Sequence, residues 1–327
     1  MRHCDQEEGI QVDQCMLHAV LSNATHPEYG AVTLPFPIPR EDFGHCIELL
    51  EALEIGKVST QDCHVDEINS KWPILGRLEG TNVDLDELDY LAKRLDSFDD
   101  GEATQFQAMT EALDLTDMKD LINLTFCCQQ TTVITDFSDL ETVGRDHYMN
   151  THGGCARVQE LEALDGTETA ILLIDGGGGR VTRYGVVYDN GMKLDQSYDG
   201  RHFPGYLYEP PMLMVALTSR MEPEDTKNIT WLYLPAAKEQ LKRGMGRSGI
   251  DDPENMRFRF VECMFPDEIK AVLDFQSDPL FSLNELAQTV TNLSDKDRKK
   301  LGAVVAMTEP ECVSQIRHLA ENLDQFE

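Results

Sequence analysis

The sequence predicts an α+β protein in which hairpin-plus-helices units are repeated around a β-rich middle domain. Three observations predict it. Two distant segments, LHAVLSNATHPEYGAVTLPFPIPREDF from Leu17 and LMVALTSRMEPEDTKNITWLYLPAAKEQL from Leu213, share one pattern. Each has a short apolar strand, a polar turn, a second strand ending in Leu-Pro, and a charged helix start. Further on, LDYLAKRLDSF from Leu88 matches LNELAQTVTNL from Leu283 at a constant offset of 195. At that offset Leu91 meets Leu286, Phe98 meets Leu293, Phe106 meets Leu301, Ala108 meets Ala303, Leu121 meets Ile316 and Leu124 meets Leu319. A gapless series of matched apolar positions indicates duplication. Third, residues 131–211 match neither copy.

The elements follow in order. Residues 1–14 are a tail, and 15–130 form the first unit. Its hairpin pairs Leu17, Leu21 and Ser22 with Leu213, Leu217 and Thr218 of the second copy, and the Leu34-Pro35 exit with Leu234-Pro235. Proline cannot donate to a ladder, so this exit suits an edge strand. A helix and a strand-like stretch at 58–64 come next, then helices at 84–97, 99–113 and 116–127. The middle, 131–211, has a helix near 138–149 and two strands, TAILLID and VTRYGVVYD, joined by GGGGR. A third stretch, MKLDQSYDG, follows Asn190-Gly191, a hairpin-turn signal. Residues 212–327 are a partial second copy, with a strand-like stretch at Met256–Cys263 and helices at 281–292, 294–307 and 310–324. Ser294 and Thr308 are the expected caps.

Of the 327 residues 59 are acidic and 28 basic, a formal net charge of -31. Residues 1–130 carry 26 acids and 8 bases, 131–211 carry 13 and 6, and 212–327 carry 20 and 14. This balance opposes direct nucleic-acid binding, because phosphates need cationic partners. It suits solubility, a basic partner, or imitation of a polyanion. Periodic Leu, Ile, Val and Phe along the whole chain argue against disorder. There are nine Cys, irregularly spaced, and the opening MRHCDQEEGIQVDQC has neither a basic start nor an apolar core. No apolar run is long enough to span a bilayer. The expectation is a cytoplasmic protein with reduced thiols.

Several motifs suggest chemistry and read better as structure. A phosphate loop needs a helix after its glycines; after GGGG at 176–179 comes VTRYGVV, so a flexible hairpin turn is expected. His45-Cys46 and Cys63-His64 lack the spacing of paired zinc ligands, and neighbours on a strand point to opposite sides. Cys155, after His152-Gly153-Gly154, is the best placed nucleophile but stands in no nucleophile motif. DLDELD resembles a calcium loop only superficially, since Leu85 and Leu88 continue a helical face and no Gly interrupts.

The acids of VDLDELDYLAKRLDSFDDGE, residues 83–102, therefore need their own account. Eight of its twenty side chains are acidic, and a solvated helix face is the plain reading. Duplex DNA carries roughly one charge per 1.7 Å of axis, so a net charge of -31 matches roughly 50 Å of duplex. Carboxylates three or four residues apart on a helix lie about 5–6 Å apart at Cβ, the order of phosphate spacing.

At these residues the chain resembles a known family. LHAVLSNATHPEYGAVTLPFP is similar to the opening of ArdA antirestriction proteins. VDLDELDYLAKRLDSFDDGEATQFQAMTEA and MKDLINLT resemble the helical region of ArdA-like proteins from mobile elements of Gram-positive bacteria. VGRDHYMN, GRVTRYGVVYDNG, ITWLYLPAAKEQLKRGM and IRHLAENLDQF resemble later segments of the same group. The resemblance implies an elongated array of small α+β modules that mimics DNA. It implies binding in the DNA groove of a type I restriction-modification enzyme, with no catalytic residues, metal or cofactor. Carried onto this sequence, the phosphate-like acids are Asp84, Asp86, Glu87, Asp89, Asp96, Asp99, Asp100 and Glu102. Asp114, Asp117 and Asp120 extend the row, and Asp136, Asp139 and Glu141 continue it. Affinity would come from carboxylates meeting the enzyme's Lys and Arg. The alternative partner is another DNA-binding protein, such as a CRISPR effector or a nucleoid protein. The second copy departs from the family pattern. It is less acidic, with Lys238, Lys242, Arg243 and Arg247 near its first helix, so a homodimer and a pseudo-dimer made by duplication both stay open.

Overall fold

The computed structural model describes residues 15–205, 211–223, 226, 228–273 and 279–326; the expected tail, 1–14, lies outside them. The described residues divide into two compact units. One is drawn from Met1–Pro39 and Glu48–Tyr198, the other from Arg40–Ile47 and Asp199–Glu327. Helices and small antiparallel sheets alternate in both, the α+β class.

The first unit opens with the expected hairpin. β1 (Leu17–Ser22) and β2 (Ala31–Phe36) pair with Leu17 opposite Phe36 and Ser22 opposite Ala31. Leu17, Ala19 and Leu21 are buried while the residues between them are half-buried, the period-two pattern of a strand with one core face. After α1 (Phe43–Ala52), β3 (Cys63–Ser70) joins the other side of β1, and β4 (Asn82–Val83) extends the sheet to the order β2-β1-β3-β4. Asp66 bulges from β3 where the register shifts opposite Val20 and Leu21. The strand expected at 58–64 thus starts at Cys63. Upstream, Gly56 (φ 78°) and Ser59 (φ 56°) take left-handed backbone. The Asp62 carboxylate accepts the N–H groups of Gly56 and Lys57, so these donors close a local loop rather than a ladder.

Three helices follow: α2 (Leu85–Asp96), α3 (Asp100–Ala112) and α4 (Met118–Leu124). All lie within the expected ranges, and a 3-10 turn, Cys128–Gln130, ends the series. Leu85, Leu88, Leu91, Ala92 and Leu95 form the buried stripe of α2. Trp72, Phe98 and Phe106 pack with ring centroids 6.0–6.3 Å apart.

The middle departs furthest from expectation. β5 (Thr132–Ile134) is followed by α5 (Leu140–Thr151), α6 (Val158–Ala163) and α7 (Gly166–Asp175), then β6 (Arg180–Thr182) and β7 (Gly185–Tyr188). The sheet order is β5-β7-β6. The expected β-rich segment thus carries three helices beside a small sheet. TAILLID belongs to α7, not to a strand: Asp165 caps the helix by accepting from Glu168 N–H, and only Gly166 and Ala170 are fully buried. GGGG connects α7 to β6 instead of turning a hairpin, with Gly177 and Gly178 at positive φ. VTRYGVVYD is itself a hairpin, bent at Arg183-Tyr184. MKLDQSYDG forms no strand. Asn190 and Gly191 turn as expected (φ 52° and 76°), but the chain leaves the sheet and crosses α4. There Tyr198 N–H donates to Asn123 Oδ1 (2.8 Å) and Asn123 Nδ2 donates to Tyr198 O (3.0 Å).

The second unit repeats the first in element order. β8 (Leu213–Ser219), β9 (Thr230–Leu234), α8 (Lys238–Arg247) and β10 (Met256–Cys263) give a sheet ordered β10-β8-β9. α9 (Asp267–Val272) stands where the first copy has the 3-10 turn Pro73–Leu78. α10 (Leu280–Thr291), α11 (Asp295–Thr308) and α12 (Val313–Glu321) follow. Leu283, Leu286, Leu301 and Ile316 lie in one core with Leu213 and Leu217. A bulge at Val261 of β10 parallels that at Asp66.

Strand register corrects one pairing. Leu213 faces Leu234 as Leu17 faces Phe36. Leu234-Pro235 therefore corresponds to Phe36-Pro37, and both bonds are cis; Leu34-Pro35 lies two residues earlier. Just beyond each, a helix side chain clasps the backbone. Asp89 Oδ1 accepts Ile38 N–H and Asn284 Oδ1 accepts Ala236 N–H, both at 2.8 Å. Ser294 caps α11 as expected. Thr308 caps nothing: it ends α11 and donates to Val304 O. The basic residues near the first helix of this copy do not form one exposed group, since Arg243 and Arg247 are buried and Arg247 lies 4.5 Å over the Phe203 ring.

Candidate acidic interface

The acids of α2 divide by burial. Asp84 is 3% exposed and caps the helix, accepting the N–H groups of Asp86 and Glu87. Glu87 is 4% exposed and accepts the Tyr198 phenol at 2.7 Å. Asp89 is 7% exposed; besides Ile38 N–H it meets Lys93 Nζ at 2.7 Å. These three hold the fold together and do not face solvent as phosphates would, which corrects the expected row. Asp86 and Asp96 are half-buried.

The remaining expected acids gather at helix starts. Asp99 and Glu102 form a reciprocal capping box on α3, with Asp100 exposed between them. Asp117 caps α4 through Lys119 and Asp120 N–H, and Asp120 sits in its first turn. Asp114 lies between the two helices in left-handed backbone (φ 54°), 2.9 Å from Arg77. Asp139 caps α5, with Glu141 in the first turn and Asp136 just before. Ser138 N–H and hydroxyl lower the Asp136 pKa, and the Thr142 hydroxyl and N–H lower that of Asp139. The Arg145 guanidinium lowers that of Glu141, which also accepts Thr167 N–H. Negative charge at a helix N-terminus is favoured by the orphan N–H groups and the helix dipole. Of the expected row, the exposed members thus gather at the starts of α3, α4 and α5 and in the turn before α4, while three of its α2 members are buried.

Sequence reasoning missed other exposed acids of this unit. Glu48, Glu51 and Glu54 lie on or just after α1, and Asp66 and Glu67 sit at the β3 bulge. Their signal was present: EDFGHCIELLEALE holds five acids and no Lys or Arg. Glu79 is exposed too, its Oε1 accepting Ile68 N–H at 3.0 Å.

The other constellations stay apart. Cys46 and Cys63 are buried while His45 is exposed, and His64 Nδ1 lies 2.9 Å from Asn82 Oδ1. Among the described residues, no three His, Cys, Asp or Glu side chains gather as metal ligands would. Cys155 is exposed, and the His152 ring is held by Tyr148 O at 2.7 Å. Among the described residues no helix is long and apolar enough to cross a membrane. In comparisons with family models, curated proteins and solved structures, the chain matches none.

Proposed function

We propose that this protein inhibits a type I restriction-modification enzyme by occupying its DNA groove with carboxylates in place of phosphates. One observation carries most of the reading. At the offset of 195, the capping acids Asp84, Asp99 and Asp117 correspond to Pro279, Ser294 and Cys312. Those three residues begin the equivalent helices α10, α11 and α12, and Ser294 caps with a neutral hydroxyl. The fold therefore does not require the charge of Asp99 and Asp117, both exposed, whereas the exposed Asp100 and Asp114 correspond to acids, Asp295 and Glu309. Surplus surface charge of one sign is what a groove lined with Lys and Arg recognises. The resemblance of the hairpin and helical segments to ArdA proteins supports the same target class.

The test is inhibition of cleavage and methylation by a type I enzyme on a DNA carrying its site. Added protein is expected to suppress both, more strongly at low salt. Unchanged cleavage and methylation at low salt with excess protein contradict the proposal for that enzyme.

A further inference from the structure

The two copies differ in what lies against the middle helix of each triplet. In the first, the sheet of β5, β6 and β7 packs on α3. Groups of α3 hold that cover: Gln105 Nε2 donates to Thr131 O (2.6 Å), Glu111 meets Arg183 (3.2 Å), and Ala112 O accepts from Arg180 (3.1 Å). Beneath it Ala108 is 0% exposed. In the second copy Lys300, Ala306 and Met307 stand for Gln105, Glu111 and Ala112. Leu301, Val304 and Val305 still seat α11 in its core. Its outer face is open: Ala303, the counterpart of Ala108, and Ala306 are exposed, and Met307 is 84% exposed. The carboxylate and amide that held a sheet are gone from it, so it suits a different occupant.

The charges along α11 indicate which. Lys296, Lys299 and Lys300 occupy its first two turns, where the first copy has Gly101, Thr104 and Gln105. Glu309 and Glu311, both exposed, follow its C-terminus. A helix dipole favours the opposite arrangement, anions at the start and cations at the end. Asp295 and Asp297 in the first turn are engaged locally, with Arg298 and Ser294. Residues 296, 299, 300, 303 and 307 share one side of a helix with 3.6 residues per turn. Within that side Lys299 and Met307 are equidistant from Ala303, as are Lys300 and Ala306.

We propose that α11 docks against α11 of a second molecule of this chain, antiparallel and crossing at Ala303. Lys296 and Lys299 then lie beside Glu309 and Glu311 of the other molecule, and the two-fold axis repeats the contact at the far end. Each lysine meets the C-terminal end of the neighbouring helix and each glutamate its N-terminal end, where the dipole favours them. The aliphatic stem of Lys299 covers the exposed Met307 of the other molecule. A parallel pair would set lysine against lysine. The pairing uses the second unit alone and does not depend on the proposed function.

Sedimentation equilibrium of the full chain from about 1 to 100 μM tests it. The parent is expected to pass from monomer to dimer as its concentration rises. One variant carries Lys296→Glu and Lys299→Glu, another Glu309→Lys and Glu311→Lys. All four sites are exposed, so each variant is expected to keep the parent's thermal melt. Each alone sets like charges together at both ends and is expected to weaken self-association about tenfold or more. Mixed in equal amounts, the two are expected to pair about as tightly as the parent, because every end contact is again between opposite charges. A parent that stays monomeric over this range overturns the inference. So does a dimer that either variant leaves unaltered, which would use another face. A loss that mixing the two folded variants does not restore overturns it as well, because the lysines would then meet some other acidic surface.

Discussion

Asp89 shows how a single carboxylate is to be read. Its residue type fits a phosphate mimic, but its oxygens hold Ile38 N–H and Lys93. Asn284 does the first of these jobs in the second copy without charge. Asp89→Asn is therefore expected to keep most of the stability, while Asp89→Ala strands a buried N–H and costs about 1–3 kcal/mol. Urea unfolding of both variants checks the difference. Equal losses would mean that the charge itself, not the acceptor, matters there. Asp199 makes a pH prediction. Burial pushes its carboxyl up, but the His202 ring and the N–H groups of His202 and Arg201 outweigh this and hold its pKa at about 2, against 3.8 for the free group. A depressed folded pKa stabilises above the unfolded value and is lost as pH falls through the folded one. Melting temperature is expected to decline between about pH 4 and pH 2, and less steeply in Asp199→Asn. Burial at this scale was not legible in the sequence: Asp86 and Glu87 are neighbours, yet one is half-buried and the other meets Tyr198 from 111 residues away.

Among the elements, helices with a clear apolar stripe were legible. All six helices of the two repeated triplets were expected within a few residues, because Leu85, Leu88, Leu91 and Leu95 and their counterparts keep a period near 3.6. The hairpins were legible too, since paired apolar runs flank a polar turn. α7 was not. Ala170 to Ile174 is a continuous apolar run, which periodicity cannot assign to strand or helix. The deciding signal was local, Asp165 followed three residues later by Glu168, an N-cap pattern. What fixes α7 in place is its approach to α5. A Cβ on Gly144 would overlap the carbonyl oxygen of Gly166, and one on Gly166 would overlap that of Glu141. Gly144→Ala is expected to force the helices apart and lower stability by about 1–3 kcal/mol. Thermal unfolding measures this, and an unchanged melt would show that the helices do not need the contact.

Across the whole molecule, charge is the property that the repeat does not explain. The two copies share strand order, bulge, backbone clasp and core positions, so packing does not account for 26 acids in residues 1–130. The excess was legible in the sequence; its placement was not. The α2 part of the expected row supplies three buried structural acids, and its exposed members stand mostly at helix starts, because capping draws Asp to those positions regardless of any partner. Separating cap from charge is thus the decisive step. A variant carrying Asp99→Ser, Asp100→Asn, Asp114→Asn and Asp117→Ser keeps acceptors at both caps and a residue tolerant of left-handed backbone at 114. Its melt is expected to stay near the parent's. The central measurement is competition between this protein and a labelled duplex for a type I restriction-modification enzyme, read by anisotropy from about 50 to 200 mM salt, with parent and variant compared. The account predicts that the parent displaces the duplex, that its affinity falls at least about tenfold over that salt range, and that the folded variant competes weakly with a shallower salt dependence. Competition by the variant equal to that of the parent, or competition insensitive to salt, would contradict it.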